Sequence, residues 1–177
     1  MKKLAILMVL ALELAVCGCG TTTPTNQINT QTSGNWEVQL IGGTSEASKL
    51  NFVTAFSVTN SGPLDITGFS FFNNGACFAN GVNTSTETGS ATLVTGSTNQ
   101  VTGTLTFTVT STTPPGNTLT LNGNLTGTSN GTIGTTGTLT NGIVVGKWQL
   151  TGGAGDPSCS AQGTFLMCQG TATCTAP

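Results

Sequence analysis

Side chains that could carry acid–base or nucleophilic catalysis are scarce in this 177-residue chain. The sequence contains no His, Arg or Tyr, so the usual general base at neutral pH is missing. Ser45 precedes Lys49 by four residues, which is not the Ser-x-x-Lys spacing of a serine nucleophile with its lysine base. The scattered carboxylates form no recognisable motif for sugar hydrolysis. We therefore predict that the protein is not an enzyme and has no catalytic residues.

Positive charge is also too sparse for nucleic-acid binding. After Lys2 and Lys3 the chain holds only Lys49 and Lys147 as cations. A nucleic-acid surface needs a basic face that displaces counterions from phosphates, which two lysines do not provide. No glycine-rich phosphate loop ending in Lys is present either. We expect no nucleic-acid partner and no cofactor.

Four cysteines, Cys77, Cys159, Cys168 and Cys174, could form disulfides or bind a metal. Zinc sites favour Cys-x-x-Cys spacings and often use His, whereas the last three cysteines are separated by eight and five residues. In an exported protein an even number of cysteines indicates disulfides, and we predict two, with no metal site. Three pairings are possible, and we favour Cys77 with Cys159 and Cys168 with Cys174. The first closes a long loop, worth roughly 4–5 kcal/mol, and the second secures the C-terminus.

The N-terminal residues have the pattern of an export signal. Lys2 and Lys3 precede an apolar run over Leu4–Leu12, which is typical of a signal peptide. This run is shorter than the ~20 residues that a membrane-spanning helix needs. We predict a signal helix that is removed from the mature protein.

The end of this leader, Val16-Cys17-Gly18-Cys19, resembles the lipobox of bacterial lipoproteins. That resemblance implies a signal peptide over residues 1–18 and a lipidated Cys19 as the new N-terminus, since Gly18 is small enough for the peptidase. Cys17 would leave with the leader. Gly20 follows the anchor, where Asp often marks inner-membrane retention, so the resemblance points to the outer membrane of the bacterial cell envelope. An ordinary cleaved signal is the alternative.

Residues 19–33 are polar and carry no charge or apolar periodicity. Such a segment cannot bury enough surface to offset the entropy of ordering it, so we predict a flexible tether. The β domain then covers residues 34–177.

Period-two alternation of apolar residues runs through this domain and predicts β-strands. In the stretch 101–110, Val101, Leu105, Phe107 and Val109 face one way, and Thr occupies most positions between them. Turn sequences such as Asn73-Asn74-Gly75 recur at short intervals, and short connections require antiparallel pairing. We predict an all-β fold, an antiparallel meander of eight to ten strands that forms either a barrel or a sandwich.

Two segments of the domain begin alike, with Gly34-Asn35-Trp36 and Gly146-Lys147-Trp148. The first resembles the Gly-x-Trp motif that opens the first strand of lipocalin- and avidin-like barrels, where Trp plugs one end. That resemblance implies a possible carrier of a small apolar ligand. Two strands that each start with a buried aromatic would give the same pattern, and in both cases Trp36 and Trp148 belong to the core.

The leading hypothesis is a lipid-anchored envelope protein with a non-catalytic binding or structural domain. Its partners are the membrane, through the lipid, and an unknown small ligand or envelope protein. We expect a binding surface in loops, 73–87 or 111–117, since loops on rigid β scaffolds carry function. Four neighbouring aromatics are interpreted as core: Phe69, Phe71, Phe72 and Phe78. A threonine-faced solenoid would need a fixed repeat length, which the uneven spacing lacks.

Overall fold

The computed structural model describes residues 35–43, 50–79, 83–96, 98–135, 137–153 and 158–170. These residues form nine β-strands: β1 (Asn35–Ile41), β2 (Asn51–Ser57), β3 (Gly62–Pro63), β4 (Asp65–Asn73), β5 (Ser85–Thr95), β6 (Gln100–Thr112), β7 (Pro115–Ser129), β8 (Leu139–Thr151) and β9 (Ala161–Gln169). Every pairing between them is antiparallel, and the described part of the chain holds no helix, which confirms the predicted all-β class. The predicted signal helix, Cys19 and the tether lie outside these residues.

The strands form one sheet in the order β3-β5-β6-β7-β8-β9-β1-β2-β4. Its two ends are consecutive in the chain, because β3 and β4 are separated by Leu64 alone. β3 pairs with β5 while β4 pairs with β2, and the Leu64 N–H donates to the Gly89 carbonyl at 2.9 Å. The sheet is thus a nearly closed barrel, which decides between the barrel and sandwich predicted from the sequence.

The predicted alternation sets the two faces of each strand. In β6 the side chains of Val101, Leu105, Phe107 and Val109 are at most 1% exposed. The threonines between them lie on the outer face, where the branched carbon suits the pleat and the hydroxyl reaches solvent. Neighbouring strands repeat this pattern, and the inward side chains form one continuous core.

Stacked aromatic rings fill the middle of the barrel. Phe107 lies 5.8 Å from Phe52 and 6.0 Å from Phe56 between ring centroids. Three of the four predicted core aromatics join this cluster: Phe69, Phe71 and Phe78. Phe72 does not, and its assignment to the core was wrong: it is 50% exposed, because it follows the inward-facing Phe71 and points to the opposite face of β4.

Trp36 and Trp148 are both buried, as predicted, in opposite halves of the barrel. Trp36 stacks on Phe56 with 5.0 Å between ring centroids, and its indole N–H donates to the Phe56 carbonyl. Trp148 lies near the other end of the sheet and donates to the carbonyl of Ile41, the last residue of β1. Each tryptophan therefore joins two strands through its polar atom while its ring fills the core.

A disulfide closes the end of the barrel where Trp148 lies. Cys77, in the β4–β5 connection, bonds to Cys159, just before β9, which confirms the predicted pair. Asn117 sits beside it and is 1% exposed. Its amide N–H donates to the Cys77 carbonyl, and its Oδ1 accepts from the Gly153 N–H, both at 2.8 Å. The disulfide and the Asn117 amide thus join the β4–β5, β6–β7 and β8–β9 connections.

Candidate functional site

A polar groove of about 420 Å³ lies on the outer face of β7, β8 and β9. Six outward polar side chains line it: Thr120, Asn122, Lys147, Gln149, Gln162 and Thr164. All but Thr120, which is partly buried, are exposed. The groove is therefore an open surface site separate from the barrel interior.

The strand register places these side chains in two rows of three. Asn122 pairs with Lys147, which pairs with Thr164 on the next strand. The second row is Thr120, Gln149 and Gln162. Neighbouring strands are ~4.8 Å apart and alternate residues ~7 Å apart, so the rows cover an area of roughly 10 by 7 Å, about one or two sugar rings.

Trp148 and Gly163 lie between the two rows and complete the lining of the groove. They are a cross-strand pair, and the Trp148 ring extends inward beneath Gly163. A Cβ built on Gly163 would lie 2.6 Å from the Trp148 Nε1 and 2.2 Å from the Ile41 carbonyl oxygen. Glycine at this position therefore lets the indole fix the backbone that carries the groove.

Most of the hydrogen-bonding capacity in the groove faces outward. The Thr106 hydroxyl donates to Asn122 Oδ1 at 3.0 Å, which orients the Asn122 amide and leaves its NH₂ group as a donor. Gln149 and Gln162 offer two further amides, each able to donate and to accept. The groove can therefore make several directed hydrogen bonds to one ligand.

Lys147 is the only cationic side chain among the residues that the structure describes. The acidic residues in the same part of the chain are Glu37, Asp65 and Glu87, and none forms a salt bridge with it. Its ammonium group is exposed, so it adds one unpaired positive charge to an otherwise neutral amide and hydroxyl surface.

Parts of the two loops that were expected to bind a ligand contribute to the packing of the barrel. In loop 73–87, Cys77 and Phe78 are buried, and Phe78 packs on Phe71, whereas residues 73–76 are exposed or partly buried. Asn117, at the end of loop 111–117, holds the Cys77 carbonyl. The exposed remainder of the second loop, residues 112–116, forms the tip of the β6–β7 hairpin.

The remaining predicted site residues are cysteines. Cys168 is disulfide-bonded, and its partner lies outside the described residues, as does Cys174. The pair Cys168–Cys174 thus stays a prediction. Within the described ranges no group of three His, Cys, Asp or Glu side chains could hold a metal ion. In the same ranges no helix has the length and apolar character to span a membrane.

Comparison of the chain with protein-family models, with curated proteins and with solved structures finds no match. The site must therefore be interpreted from its own geometry. Apart from Trp148, which was assigned to the core, the groove residues were not singled out from the sequence, although Lys147 and Gln149 flank Trp148 in a visible alternation. Their partners on β7 and β9 follow only from the register.

Proposed function

We propose that the chain is a lipid-anchored lipoprotein of the bacterial outer membrane, whose β domain binds a ligand and does not catalyse a reaction. The anchor is Cys19, on the lipobox at the end of the leader. The observation that carries the binding role is the outer groove, where six polar side chains in two registered rows turn their donors and acceptors to solvent.

The packed interior favours this outer site over a lipocalin-like carrier. Phe52, Phe56 and Phe107 occupy the middle of the barrel with contacts typical of stacked rings, and each is at most 2% exposed. A barrel of about eight strands either holds one small ligand or fills itself with side chains. No observation on the described residues favours an apolar ligand inside.

The chemistry of the groove suits a hydroxyl-rich ligand with a carboxylate, which is the class of acidic oligosaccharides. The amides of Asn122, Gln149 and Gln162 match vicinal hydroxyls, which also donate and accept. The Lys147 ammonium complements a carboxylate, and among the described residues no acidic side chain lines the groove. Because the groove is open and has no exposed aromatic ring to stack on a sugar, we expect millimolar affinity for a short oligosaccharide and stronger binding to a polymer.

The anchor is tested by mass spectrometry of protein extracted from membranes of an expressing bacterium. The expected product begins at Cys19 and carries acyl chains, and Cys19→Ser should abolish both the acyl mass and membrane association. Cys17→Ser is the matched control and should leave the lipid in place. An unmodified, freely released product from the unaltered chain would defeat the proposal.

The groove is tested by NMR titration of the folded protein with oligogalacturonate, using a neutral cello-oligosaccharide of equal length as comparison. Amide shifts on β7, β8 and β9 are expected with the acidic sugar. Lys147→Gln should weaken binding by up to about fivefold, since one exposed charge contact is worth at most roughly 1 kcal/mol. Lys49→Gln removes an equal charge at another position of the sequence and is expected not to weaken it. Absence of shifts in the groove with either sugar would refute this ligand class.

A further inference from the structure

The two ends of the sheet separate along a seam between β4 and β5. At one end of this seam β3 pairs with β5, and the Leu64 N–H extends the pairing to the Gly89 carbonyl. Beyond Leu64, β4 pairs with β2 alone, and in the described part of the chain no backbone hydrogen bond joins β4 to β5. The barrel wall is therefore open between these strands, and side chains that face the interior are accessible there from solvent.

The β4 side of this opening is aromatic. Phe69 stacks on Phe107, and Phe71 contacts Phe52, so both rings face the barrel interior. Phe52 and Phe107 are fully buried, whereas Phe69 and Phe71 are only partly buried. Two rings of the aromatic cluster thus present part of their surface to the seam.

The β5 side of the opening carries a carboxylate. Side chains of β5 alternate between faces, and Ala91 is buried in the core, so Glu87 and Ser85 also face inward. Both are partly buried, and the Ser85 hydroxyl donates to Glu87 Oε1 at 2.6 Å. Continuing the β3–β5 register along β4 places Ser85 level with Gly68, the residue before Phe69. The hydrogen bond therefore turns the Glu87 carboxylate toward the level of the exposed rings.

A buried hydroxyl without a partner lies next to this pair. Ser111 on β6 is the cross-strand partner of Ser85, and it is 2% exposed. Its Oγ forms no hydrogen bond with the described residues. Burial of an unpaired hydroxyl lowers the stability of a fold, so folded proteins seldom retain one. The Ser111 hydroxyl both donates and accepts, and it adds a polar contact beside the Glu87 carboxylate.

We propose that these side chains form a seam cleft that binds an organic cation, an ammonium group carried on an apolar body. The seam cleft consists of Phe69, Phe71, Ser85, Glu87 and Ser111. The ammonium group pairs with the Glu87 carboxylate and donates to the Ser111 hydroxyl, while the apolar body packs on the two rings. Aromatic faces also attract a cation directly, because the ring quadrupole is negative there.

The seam cleft is separate from the outer groove and has the opposite charge preference. The groove lies on β7, β8 and β9 and carries Lys147, the one cation of the described residues, on the outer face of the barrel. The seam cleft lies between β4 and β5 and carries the inward carboxylate of Glu87. Binding of an organic cation there goes beyond binding of an acidic sugar and does not depend on it.

NMR titration of the oxidised, folded protein at neutral pH tests the cleft, with phenylbutylammonium as the probe and phenylbutanol as its neutral counterpart. Amide shifts on β4, β5 and β6 are expected with the ammonium. The alcohol should bind about fivefold more weakly, because a charge-assisted hydrogen bond is worth about 1 kcal/mol more than a neutral one. Equal affinities for the two probes, or shifts confined to other strands, would overturn the proposal.

Two substitutions test which charge attracts the probe. Glu87→Gln keeps the shape of the side chain and removes its charge, so phenylbutylammonium should then bind about as weakly as phenylbutanol. Asp65→Asn removes an equal charge from an exposed position of β4, and it should leave the affinity unchanged. An equal loss in both variants would mean that net charge attracts the probe, which contradicts a specific cleft. If Glu87→Gln does not fold, the comparison of the two probes on the unaltered protein decides the outcome.

Ser111→Ala separates a binding role from a structural one. The substitution should raise the melting temperature, because it removes an unpaired buried hydroxyl, and it should weaken phenylbutylammonium binding by about threefold. A lower melting temperature together with an unchanged affinity would show that Ser111 supports the fold and takes no part in the cleft.

Discussion

The indole N–H of Trp148 donates to the carbonyl oxygen of Ile41 at 3.1 Å, joining β8 to a residue 107 positions earlier in the chain. The bond passes Gly163 on β9, which lies between these strands. It is possible only because Gly163 has no side chain, since a Cβ there would overlap both partners. Three strands are thus held by one tryptophan directly beneath the groove.

Replacing Gly163 should therefore destabilise the domain. Gly163→Ala is expected to lower the free energy of unfolding by roughly 1–3 kcal/mol, because the Ile41 backbone cannot move aside freely. Gly96→Ala is the matched control: a Cβ there would lie 3.5 Å from its nearest neighbour, the Gln100 carbonyl, in ordinary contact. Urea unfolding followed by tryptophan fluorescence measures both, and equal stability of the two variants would contradict this account of Gly163.

The aromatic cluster predicts a contrast between two phenylalanines. Phe107→Ala should cost roughly 3–5 kcal/mol, because Phe107 is fully buried and contacts rings on β2 and β4. Phe72→Ala removes an equal volume from a half-exposed side chain and should cost less than about 1 kcal/mol. Chemical denaturation under oxidising conditions gives both values. Similar losses would mean that Phe72 does not lie on the outer face of β4 as its exposure indicates.

The Cys77–Cys159 bond closes a loop between residues 82 positions apart. Replacing both cysteines by Ala should lower the free energy of unfolding by roughly 4–5 kcal/mol, mostly through the greater entropy of the unfolded chain. The double variant avoids a single unpaired thiol that could form other bridges. Denaturation of the oxidised proteins measures the change, and a loss below about 1 kcal/mol would show that the bridge contributes little in this context.

Asn117 should contribute strongly to the free energy of unfolding, since its buried amide forms hydrogen bonds with two backbone groups. Asn117→Ala leaves the Cys77 carbonyl and the Gly153 N–H without this partner, and we expect a loss of roughly 2–4 kcal/mol. Asn117→Asp keeps the acceptor oxygen, so its free energy of unfolding should lie between those of the unaltered protein and Asn117→Ala. Asn122→Ala, on the exposed face of the same strand, is the control and should change stability by about 0.5 kcal/mol or less. Equal effects of the two alanine variants would refute the bridging role.

Local alternation was enough to predict much of the fold. Val101, Leu105 and Phe107 were assigned to the core from period two, and their burial follows because a pleated strand shows one face to the barrel interior. The prediction that Phe72 belongs to the core was wrong, because two consecutive residues of a strand, Phe71 and Phe72, cannot both face inward. Two register shifts between β2 and β4 also interrupt the alternation there. The sequence alone therefore could not show which of Phe71 and Phe72 faces the core.

The candidate site could not be predicted in this way. Asn122, Lys147 and Thr164 belong to three strands and meet only through the pairing register, which depends on how every hairpin turns. Leu166 lies in the apolar run Phe165–Cys168, where alternation is absent. All four residues of that run are buried, although Leu166 and Cys168 do not belong to the core cluster of the barrel interior.

The position of β1 within the sheet has a mechanical consequence. In the proposed lipoprotein, any pull between the membrane and a bound polymer reaches the domain at the start of β1. This strand is paired with β9 along one edge and with β2 along the other. Tension applied there must shear two hydrogen-bonded ladders together and cannot peel away a single outer strand. The groove begins on β9, which pairs directly with β1, so the load would pass from the anchored strand to the ligand through a single antiparallel ladder.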